Sequence, residues 1–325
     1  MMRAPQTVVI LHEAMNASAR IDEADALAQA EHVSAALRAL GWSVTVMPTD
    51  LNLAATRDAL LRLKPALVFN LVESLAGDGR MIHLLPTLLE ATAMKFTGSG
   101  SDSIYLSSQK LLAKQWMRNH GITTPPVLGE NAASDDDTAT WIVKSVWEHA
   151  SFGMDDGCVV NGTAAASDRI AHCEALHGGE WFAERFVDGR EFNLALIEVD
   201  GQPEVLPIAE MTFVDYPKGK PRIVGYAAKW DETAPEYHAT RRVFTELPAA
   251  ERELLCDVAL QCWALFDLAA YARVDIRLDD AGIPWVLEVN ANPCLTPDAG
   301  FVAAAAASGR NYKQIIELIT SAALS

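Results

Sequence analysis

Two stretches near the end of the chain decide its fold: Ala272-Arg-Val-Asp-Ile-Arg-Leu278 and Trp285-Val-Leu-Glu-Val-Asn290. The turn-forming residues Asp279-Asp-Ala-Gly282 lie between them. Apolar and polar residues alternate along both stretches, which predicts a hairpin of two antiparallel strands. On the first strand the alternation puts Arg273 and Asp275 on one face, together with Arg277.

The same alternation predicts which polar groups meet across this hairpin. We expect a four-residue loop, which sets Asp275 opposite Val286, and on the second strand Val286, Glu288 and Asn290 share a face. Any even-length loop brings that face to the side that carries Arg273. Two carboxylates and an amide oxygen are hard ligands of the kind that Mg²⁺ prefers. A solvated face with ordinary charge pairing is the alternative, but two neighbouring carboxylates repel unless a cation lies between them.

Three lysines stand beside apolar sequence, at Lys110, Lys144 and Lys229. One such lysine is typical of the edge of an element, where its stem packs and its amine stays in water. Three of them, in an acidic protein with a candidate Mg²⁺ site, favour triphosphate binding. The run Trp181–Glu191 leads from a strand into a turn, so we expect backbone groups to be exposed over 184–187.

Composition limits the function further. The chain has 325 residues, with 26 Lys and Arg against 43 Asp and Glu, a net charge of −17. This balance argues against a nucleic-acid or membrane partner, since either requires a positive surface field. Five cysteines without a paired motif, and no leader or membrane span, predict a reduced cytoplasmic protein. A zinc site among Cys158, His172, Cys173 and His177 is less favoured than a plain helix surface.

The order of the elements predicts an α/β layer followed by α+β structure. Short apolar runs alternate with helical periods over the first hundred residues, which favours a parallel sheet with ligands at the carboxyl ends of its strands. Beyond residue 140, strands and hairpins dominate. We also expect one helix over Ile104–Asn119, one strand over Glu204–Met211 and a long loop over Asp215–Lys229.

Seven strings in order along the chain resemble the ATP-grasp superfamily, and within it the D-alanine–D-alanine ligases. They are Phe96-Thr-Gly-Ser-Gly-Ser, Ser108-Gln-Lys-Leu-Leu-Ala-Lys, Ile122-Thr-Thr-Pro-Pro, Ile142-Val-Lys, Ala183-Glu-Arg-Phe-Val-Asp-Gly-Arg-Glu-Phe, Ala272-Arg-Val-Asp and Leu287-Glu-Val-Asn-Ala-Asn-Pro. The resemblance implies an ATP-grasp fold with three parts: an N-terminal parallel α/β domain over 1–100, a central α+β lid over 101–182 and a C-terminal α+β catalytic domain over 183–325.

The resemblance also implies roles for single residues. Arg273 would steady an oxyanion, Lys229 would meet the γ-phosphate, and Ser151 would belong to a mobile loop over the phosphates. Contacts with ATP are implied for Lys110, Lys144, Met154, Glu184, Arg185, Phe186, Val187, Glu191, Lys229 and Leu287. Two Mg²⁺ ions, with Mn²⁺ as an alternative, would be held by Asp275, Glu288 and Asn290.

The substrate pocket departs from the family's pattern. The first loop, His12–Ser18, lacks the expected glycine pair, and Trp230 replaces a tyrosine, so we expect the family's closing tyrosine–serine contact to be absent. Ala299 replaces a hydroxyl residue that would bind the acceptor carboxylate; this hints at a cationic or carboxylate-free acceptor, unless backbone amides do the binding. The candidate substrate residues are Glu13, Glu73, His149, Trp230, Cys294, Asp298, Ala299 and Gly300.

These observations predict an ATP- and Mg²⁺-dependent carboxylate–amine ligase that forms an amide through an acyl phosphate, with an altered substrate pair. One alternative is an authentic D-alanine–D-alanine ligase. Another, from a different class, is a non-catalytic ATP-binding regulatory protein. The expected partners are a small carboxylate or amino acid donor and an amine acceptor, and the resemblance suggests a homodimer.

Overall fold

The computed structural model describes residues 6–14, 21–130, 136–216 and 218–325 of the chain. The strands are β1 (Thr7–Glu13), β2 (Ser43–Thr49), β3 (Leu67–Asn70), β4 (Thr140–Ser145), β5 (Val159–Asn161), β6 (Trp181–Arg185), β7 (Arg190–Val199), β8 (Gln202–Val205), β9 (Ala209–Phe213), β10 (Thr240–Val243), β11 (Tyr271–Leu278) and β12 (Pro284–Asn290). The helices are α1 (Ile21–Ala39), α2 (Leu53–Leu63), α3 (Leu84–Ala91), α4 (Ser101–Ser108), α5 (Lys110–Asn119), α6 (Thr163–His177), α7 (Tyr226–Trp230), α8 (Pro235–Ala239), α9 (Ala249–Leu265), α10 (Gly300–Ala307) and α11 (Tyr312–Leu324).

The first sheet is parallel, as its alternating strands and helices predict. Its order is β2-β1-β3, so the central strand β1 pairs with both neighbours. Val8 and Ile10 of β1 pack in one hydrophobic core with Ile315 and Ile319 of α11, which ties this sheet to the end of the chain. Beyond β3, Phe96 forms an isolated parallel bridge with Val68 of that strand.

Two antiparallel sheets follow. One has the order β5-β4-β6 and carries α6 against it. The other has six strands, with β10-β9-β7-β11-β12 as its path and β8 paired to β7. Strand β11, between β7 and β12, has Val274 and Ile276 fully buried in a core beneath α9. Within the described residues, no helix combines the length and apolarity needed to cross a bilayer.

Three local predictions are wrong. The single helix expected over Ile104–Asn119 is broken at Gln109, which has extended backbone and caps α5 by accepting a hydrogen bond from the amide of Leu112. The strand expected over Glu204–Met211 is split into β8 and β9 around Pro207, which has no N–H to give to a ladder. The long loop expected up to Lys229 ends in α7.

The predicted hairpin of β11 and β12 forms, but with a different register. Its loop has five residues, since Leu278 pairs with Pro284, and Ile276 rather than Asp275 lies opposite Val286. The predicted pairing of Asp275 with Val286 is therefore wrong, and Val286 faces the core. A β-bulge at Leu287 then sets Asp275 opposite Glu288, followed by Arg273 opposite Asn290. The extra residue thus returns the polar groups to one face, as predicted.

Gly189, between β6 and β7, lies directly against β11. A Cβ atom built on Gly189 would stand 2.2 Å from the carbonyl oxygen of Leu278, which is backbone and has little room to move. We expect Gly189→Ala to lower the free energy of unfolding by about 3 kcal/mol through overpacking. Urea denaturation measures this change.

Gly201→Ala is the matched control. Gly201 has a left-handed backbone (φ +77°), but no atom lies within 4 Å of the position that a Cβ would take there. This variant should lose only about 1 kcal/mol, the cost of a side chain at positive φ. Equal losses in the two variants would contradict the importance of the contact with Leu278.

Candidate active site

A buried carboxylate joins two lysines at the centre of the molecule. Glu184 of β6 is 1% exposed; its Oε2 lies 2.5 Å from Nζ of Lys114, and its Oε1 lies 2.6 Å from Nζ of Lys144. Burial alone would raise the pKa of Glu184, but the two lysines outweigh it and hold the pKa below the ordinary value. Lys114 also donates to Thr124 Oγ1 at 2.7 Å. Lys114 lies in the string Ser108–Lys114, in which only Lys110 has a predicted role.

Glu288 of β12 is held as an anion by two neighbours. Its Oε1 lies 2.9 Å from Nδ1 of His149, a predicted substrate residue. Burial would raise the pKa of Glu288, but the positive charge of Lys110 and the hydrogen bond from His149 keep it well below its usual range. Lys110 is itself buried and donates to the carbonyl of Glu148 at 2.7 Å. Burial lowers the pKa of this lysine.

Asp275 of β11 is the second carboxylate of the hairpin. Arg273 binds it with two parallel hydrogen bonds, Nε to Oδ1 at 2.8 Å and Nη2 to Oδ2 at 3.0 Å. Asn193 of β7, which the sequence analysis missed, donates to the same Oδ1 at 2.8 Å. Oδ1 of Asn290 accepts a hydrogen bond from the backbone amide of Asn292 at 3.0 Å. Cross-strand pairing therefore brings Arg273, Asp275, Glu288 and Asn290 to one place.

The donor set of this hairpin fits a divalent cation. Asp275 and Glu288 lie directly opposite each other. Arg273 forms an ion pair with Asp275, and His149 forms a hydrogen bond with Glu288. Oxygen ligands from two carboxylates and one amide suit Mg²⁺, which keeps its remaining positions for water and phosphate. Over the described part of the chain, no three His, Cys, Asp or Glu side chains gather in a metal-binding group.

An apolar cluster lies beside these charges. It includes two of the residues expected at the adenine, Met154 and Phe186, which pack with Ile142 and Ile223. Ile142 and Ile223 were not predicted to belong to this cluster, because Ile142 lies in a strand and Ile223 lies in a segment predicted as a loop. Leu287 is the half-buried residue of the bulge, at the edge of the hairpin.

The turn after β6 offers fewer free backbone groups than expected. The amide of Arg185 donates to the carbonyl of Pro126 at 2.8 Å, and the amide of Phe186 donates to the carbonyl of Thr140 at 2.9 Å. The prediction of exposed backbone is therefore wrong for these two amides. The Val187 carbonyl accepts a hydrogen bond from Arg277, the same arginine that binds Glu191.

The loop 149–154 is fastened to α7. Its residues Ala150 and Ser151 both have left-handed backbone (φ 58° and 61°), which costs non-glycine residues energy. Three hydrogen bonds hold it: Ser151 Oγ to the Val224 carbonyl at 2.7 Å, the Trp230 indole N–H to the Ala150 carbonyl at 3.2 Å, and the Tyr226 amide to the Met154 carbonyl at 3.0 Å. Lys229 is exposed on the same helix.

The predicted substrate residues of the N-terminal part meet near the same centre. Glu13 ends β1, and its Oε2 accepts from the amide of Glu73 at 3.4 Å. Gln29 donates to Glu73 at 3.3 Å. One small cavity is lined by Glu73, His149 and Asn290 among others. Met15–Ser18 of the predicted first loop lie outside the described residues.

The remaining substrate candidates follow β12. Cys294 Sγ lies 3.2 Å from Thr296 Oγ1. Asp298, Ala299 and Gly300 lead into α10, and Asp298 offers its carbonyl to Nη1 of Arg242 at 3.0 Å. Arg242 was not predicted at this position, because β10 lies in a polar segment and the contact spans 56 positions of the chain.

This architecture can be compared with known proteins. Residues 137–321, more than half of the chain, match the family described as "D-ala D-ala ligase C-terminus". The chain belongs to the D-alanine–D-alanine ligase family. Membership confirms the resemblance stated above, the ATP-grasp fold class and the predicted class of ATP-dependent ligase.

Individual relatives are distant but cover most of the chain. An uncharacterized protein, y4sG of Sinorhizobium fredii, is 28% identical over 90% of this chain and 87% of its own length. A D-alanine–D-alanine ligase of Sphingopyxis alaskensis is 28% identical with full coverage of both chains. The fold is shared with a crystal structure of D-alanine–D-alanine ligase from Bacillus anthracis complexed with ATP, with a TM-score of 0.76, 18% identity and coverage of 98% and 97%.

Removing the charge of Glu184 tests the buried cluster. In Glu184→Gln the ammonium groups of Lys114 and Lys144 lose their counter-charge, so we expect the free energy of unfolding at pH 7 to fall by about 3–5 kcal/mol. The pKa of Glu184 is lowered in the folded state, so its contribution exists above the unfolded value and disappears as the pH falls through the folded value. The difference between wild type and variant in urea denaturation should therefore shrink in acid.

The control is Glu130→Gln, which breaks the ion pair with Arg118 at the surface, where the two side chains are 37% and 31% exposed. It should change stability by less than about 1 kcal/mol. A Glu184→Gln variant no less stable than this control would refute the role of the carboxylate.

Proposed function

We propose that the protein is an ATP- and Mg²⁺-dependent ligase that joins a carboxylate to an amine through an acyl phosphate. The observation that carries this proposal is the cross-strand pairing of Asp275 with Glu288 beside Arg273. Lys110 and Lys144 approach the same centre, and Met154 and Phe186 supply an apolar wall for a purine. Membership in the family supports the same chemistry.

The proposed reaction uses these side chains in two stages. A carboxylate is a poor electrophile, so the donor first receives the γ-phosphoryl group of ATP, and Lys110, Lys144 and Lys229 neutralise the phosphate charge. Two Mg²⁺ ions at Asp275, Glu288 and Asn290 would supply further charge neutralisation. The amine of the acceptor then attacks, and phosphate leaves.

Arg273 is suited to the second stage. Its Nε and Nη2 are directed at Asp275, while Nη1 takes no hydrogen-bond acceptor from the described residues. A fixed guanidinium N–H next to the reacting carbonyl would stabilise the oxyanion that develops on attack. The loop 149–154 would keep water from the acyl phosphate while the hydrogen bonds to α7 hold it in place.

The substrate pair we propose is an amino acid or small carboxylate donor and an amine acceptor, different from the family's pair. The changed residues His149, Trp230 and Ala299 support this. The guanidinium of Arg242 beside Gly300 disfavours a cationic acceptor at that position and favours one with a carboxylate. Such an acceptor suits D-alanine as well, so an authentic D-alanine–D-alanine ligase remains the alternative, supported by the curated relatives.

A non-catalytic nucleotide-binding protein is the second alternative. Such a protein has no need of an oxyanion arginine next to two opposed carboxylates, so the pairing of Arg273, Asp275 and Glu288 argues against it. The family resemblance supports two further proposals: a homodimer, and three parts over 1–100, 101–182 and 183–325.

The deciding experiment is ADP release with Mg²⁺ against D- and L-amino acids, amines and small carboxylates, singly and in pairs, with mass spectrometry of the products. Release that requires one pair, with a product lighter than the sum of the two by one water, would establish the ligase. ATP binding without any pair-dependent release, even with D-alanine, would favour the non-catalytic alternative.

Glu288→Gln tests the metal assignment. The variant keeps the size of the side chain but removes a negative charge, so we expect ligation to fall by about a hundredfold or more, since charge neutralisation by a metal is worth several kcal/mol. The measurement is ADP release on the identified pair. Glu204→Gln is the control. Glu204 forms an ion pair with Arg310, its side chain is 43% exposed, and the variant should retain full activity. Unchanged turnover in Glu288→Gln would refute the assignment.

A further inference from the structure

Gln29 of α1 is buried between two segments that carry predicted substrate residues. Its side chain is 2% exposed. Oε1 accepts a hydrogen bond from the backbone amide of Leu295 at 2.6 Å, and Nε2 donates to Oε1 of Glu73 at 3.3 Å. Because only the oxygen can accept from an N–H and only the nitrogen can donate to a carboxylate, the two contacts fix one orientation of the amide. Gln29 therefore joins the segment after β3 to the segment after β12.

Both partners of Gln29 are themselves held in place. The carbonyl of Leu295 accepts a hydrogen bond from the hydroxyl of Tyr312 at 2.9 Å. The backbone amide of Glu73 donates to Oε2 of Glu13 at 3.4 Å. A buried amide with both ends paired is costly to replace, because an apolar side chain would leave its partners without their hydrogen bonds. The direction of the Glu73 carboxylate therefore depends on Gln29.

Glu73 lies in the wall of a small cavity. Its volume is about 10 Å³, which gives room for about one water-sized group. The wall also includes His149 and Asn290, and among the described residues that line it there is no lysine or arginine. Acceptor groups without a neighbouring cation favour a ligand that carries hydrogen-bond donors.

His149 supplies a second acceptor to this cavity. Its Nδ1 lies 2.9 Å from Oε1 of Glu288, while its Nε2 is buried and has no hydrogen-bond partner in the part of the chain that the structure describes. The bond to a carboxylate requires a hydrogen on Nδ1, which makes Nε2 an acceptor in the neutral ring. A buried acceptor is costly unless a donor reaches it. An amino group, which is close to water in size and has several N–H donors, suits Nε2 and Glu73 together.

We propose that Gln29 is a positioning residue that holds the carboxylate of Glu73 in the wall of this cavity, where Glu73 and His149 receive an amino group of the donor substrate. This inference rests on the proposed ligase reaction and narrows its donor from small carboxylates in general to amino acids. A charged ammonium group forms stronger hydrogen bonds to a carboxylate than a neutral donor does. An analogue without the amino group leaves the carboxylate unpaired.

The experiment measures kcat and KM for the donor of the pair that supports ADP release, and for its analogue with hydrogen in place of the amino group. Wild type should prefer the amino compound by about tenfold or more in kcat/KM, the effect of one hydrogen bond to a charged group. Gln29→Met keeps the size of the side chain without its polar atoms. It should raise the KM for the donor about tenfold, leave kcat and the KM for ATP within about threefold, and reduce the preference.

Gln29→Glu separates the two contacts of Gln29. It keeps an acceptor for the amide of Leu295 but places a carboxylate against Glu73, and like charges repel. We expect it to raise the KM for the donor as Gln29→Met does, yet to be more stable than Gln29→Met in urea denaturation. It therefore also provides the test if Gln29→Met does not fold.

The double variant Gln29→Glu with Glu73→Gln moves the charge from the cavity to α1. Its side chains can form the hydrogen bond again, with the amide now donating from position 73. We expect the stability lost in Gln29→Glu to recover, while the KM for the donor stays high because the cavity wall has lost its carboxylate.

Tyr312→Phe is the matched control. It removes the hydrogen bond to the carbonyl of Leu295, the residue whose amide Gln29 binds. The variant should lose about 1 kcal/mol of stability, the contribution of one neutral hydrogen bond. It should keep the wild-type KM for the donor and the wild-type preference for the amino compound.

Four results would overturn the inference: a donor that has no amino group, equal use of the donor and its analogue, folded Gln29 variants with the wild-type KM for the donor, or a double variant in which that KM is restored. In each of them the ligase reaction continues, so the proposed function would stand. An absence of pair-dependent ADP release in wild type with every substrate pair would instead refute the proposed function and this inference with it.

Discussion

The pairing of β11 with β12 is the constraint on which the rest of the site depends. A five-residue loop would by itself turn Glu288 into the core, because side chains alternate along a strand. The bulge at Leu287 adds one residue and so reverses which side chains of β12 face the core. Val286 and Val289 therefore stay in the core, while Glu288 and Asn290 reach the face of Asp275. One unpaired residue therefore decides whether a carboxylate lies in the core or in the site.

Charge placement explains how a protein with a net charge of −17 can serve an anionic ligand. The buried cations are each held by a specific acceptor: Glu184 lies between Lys114 and Lys144, and Lys110 donates to a backbone carbonyl. Because the acceptor of Lys110 is a backbone carbonyl and not a carboxylate, its positive charge acts on Glu288 and lowers the pKa of that carboxyl. The excess of acidic residues elsewhere does not weaken this centre, since surface charges are screened by salt over about 10 Å.

The sequence predicted the structure correctly where a short repeating pattern of apolar and polar residues, or a motif, determined it. The alternation in the hairpin located Arg273, Asp275, Glu288 and Asn290 on one face, and the run of short strands and helices predicted the first sheet. The length of the loop between β11 and β12 could not be predicted, because Ile283 is apolar and continues the pattern of the strand. The contacts of Arg277 and Arg242 could not be predicted, because their partners are carbonyls and carboxylates far along the chain, and such contacts leave no local pattern.

The attachment of the loop 149–154 to the segment around α7 shows that backbone acceptors can replace a contact between two side chains. The tyrosine and serine expected from the resemblance would join two side chains, so both residue types would be required. Here the indole N–H of Trp230 reaches the backbone carbonyl of Ala150, and Ser151 reaches the carbonyl of Val224. A backbone acceptor is present whatever residue occupies the position. Residue 150 is then free to be alanine, and His149 can turn to Glu288 while the loop stays attached to α7.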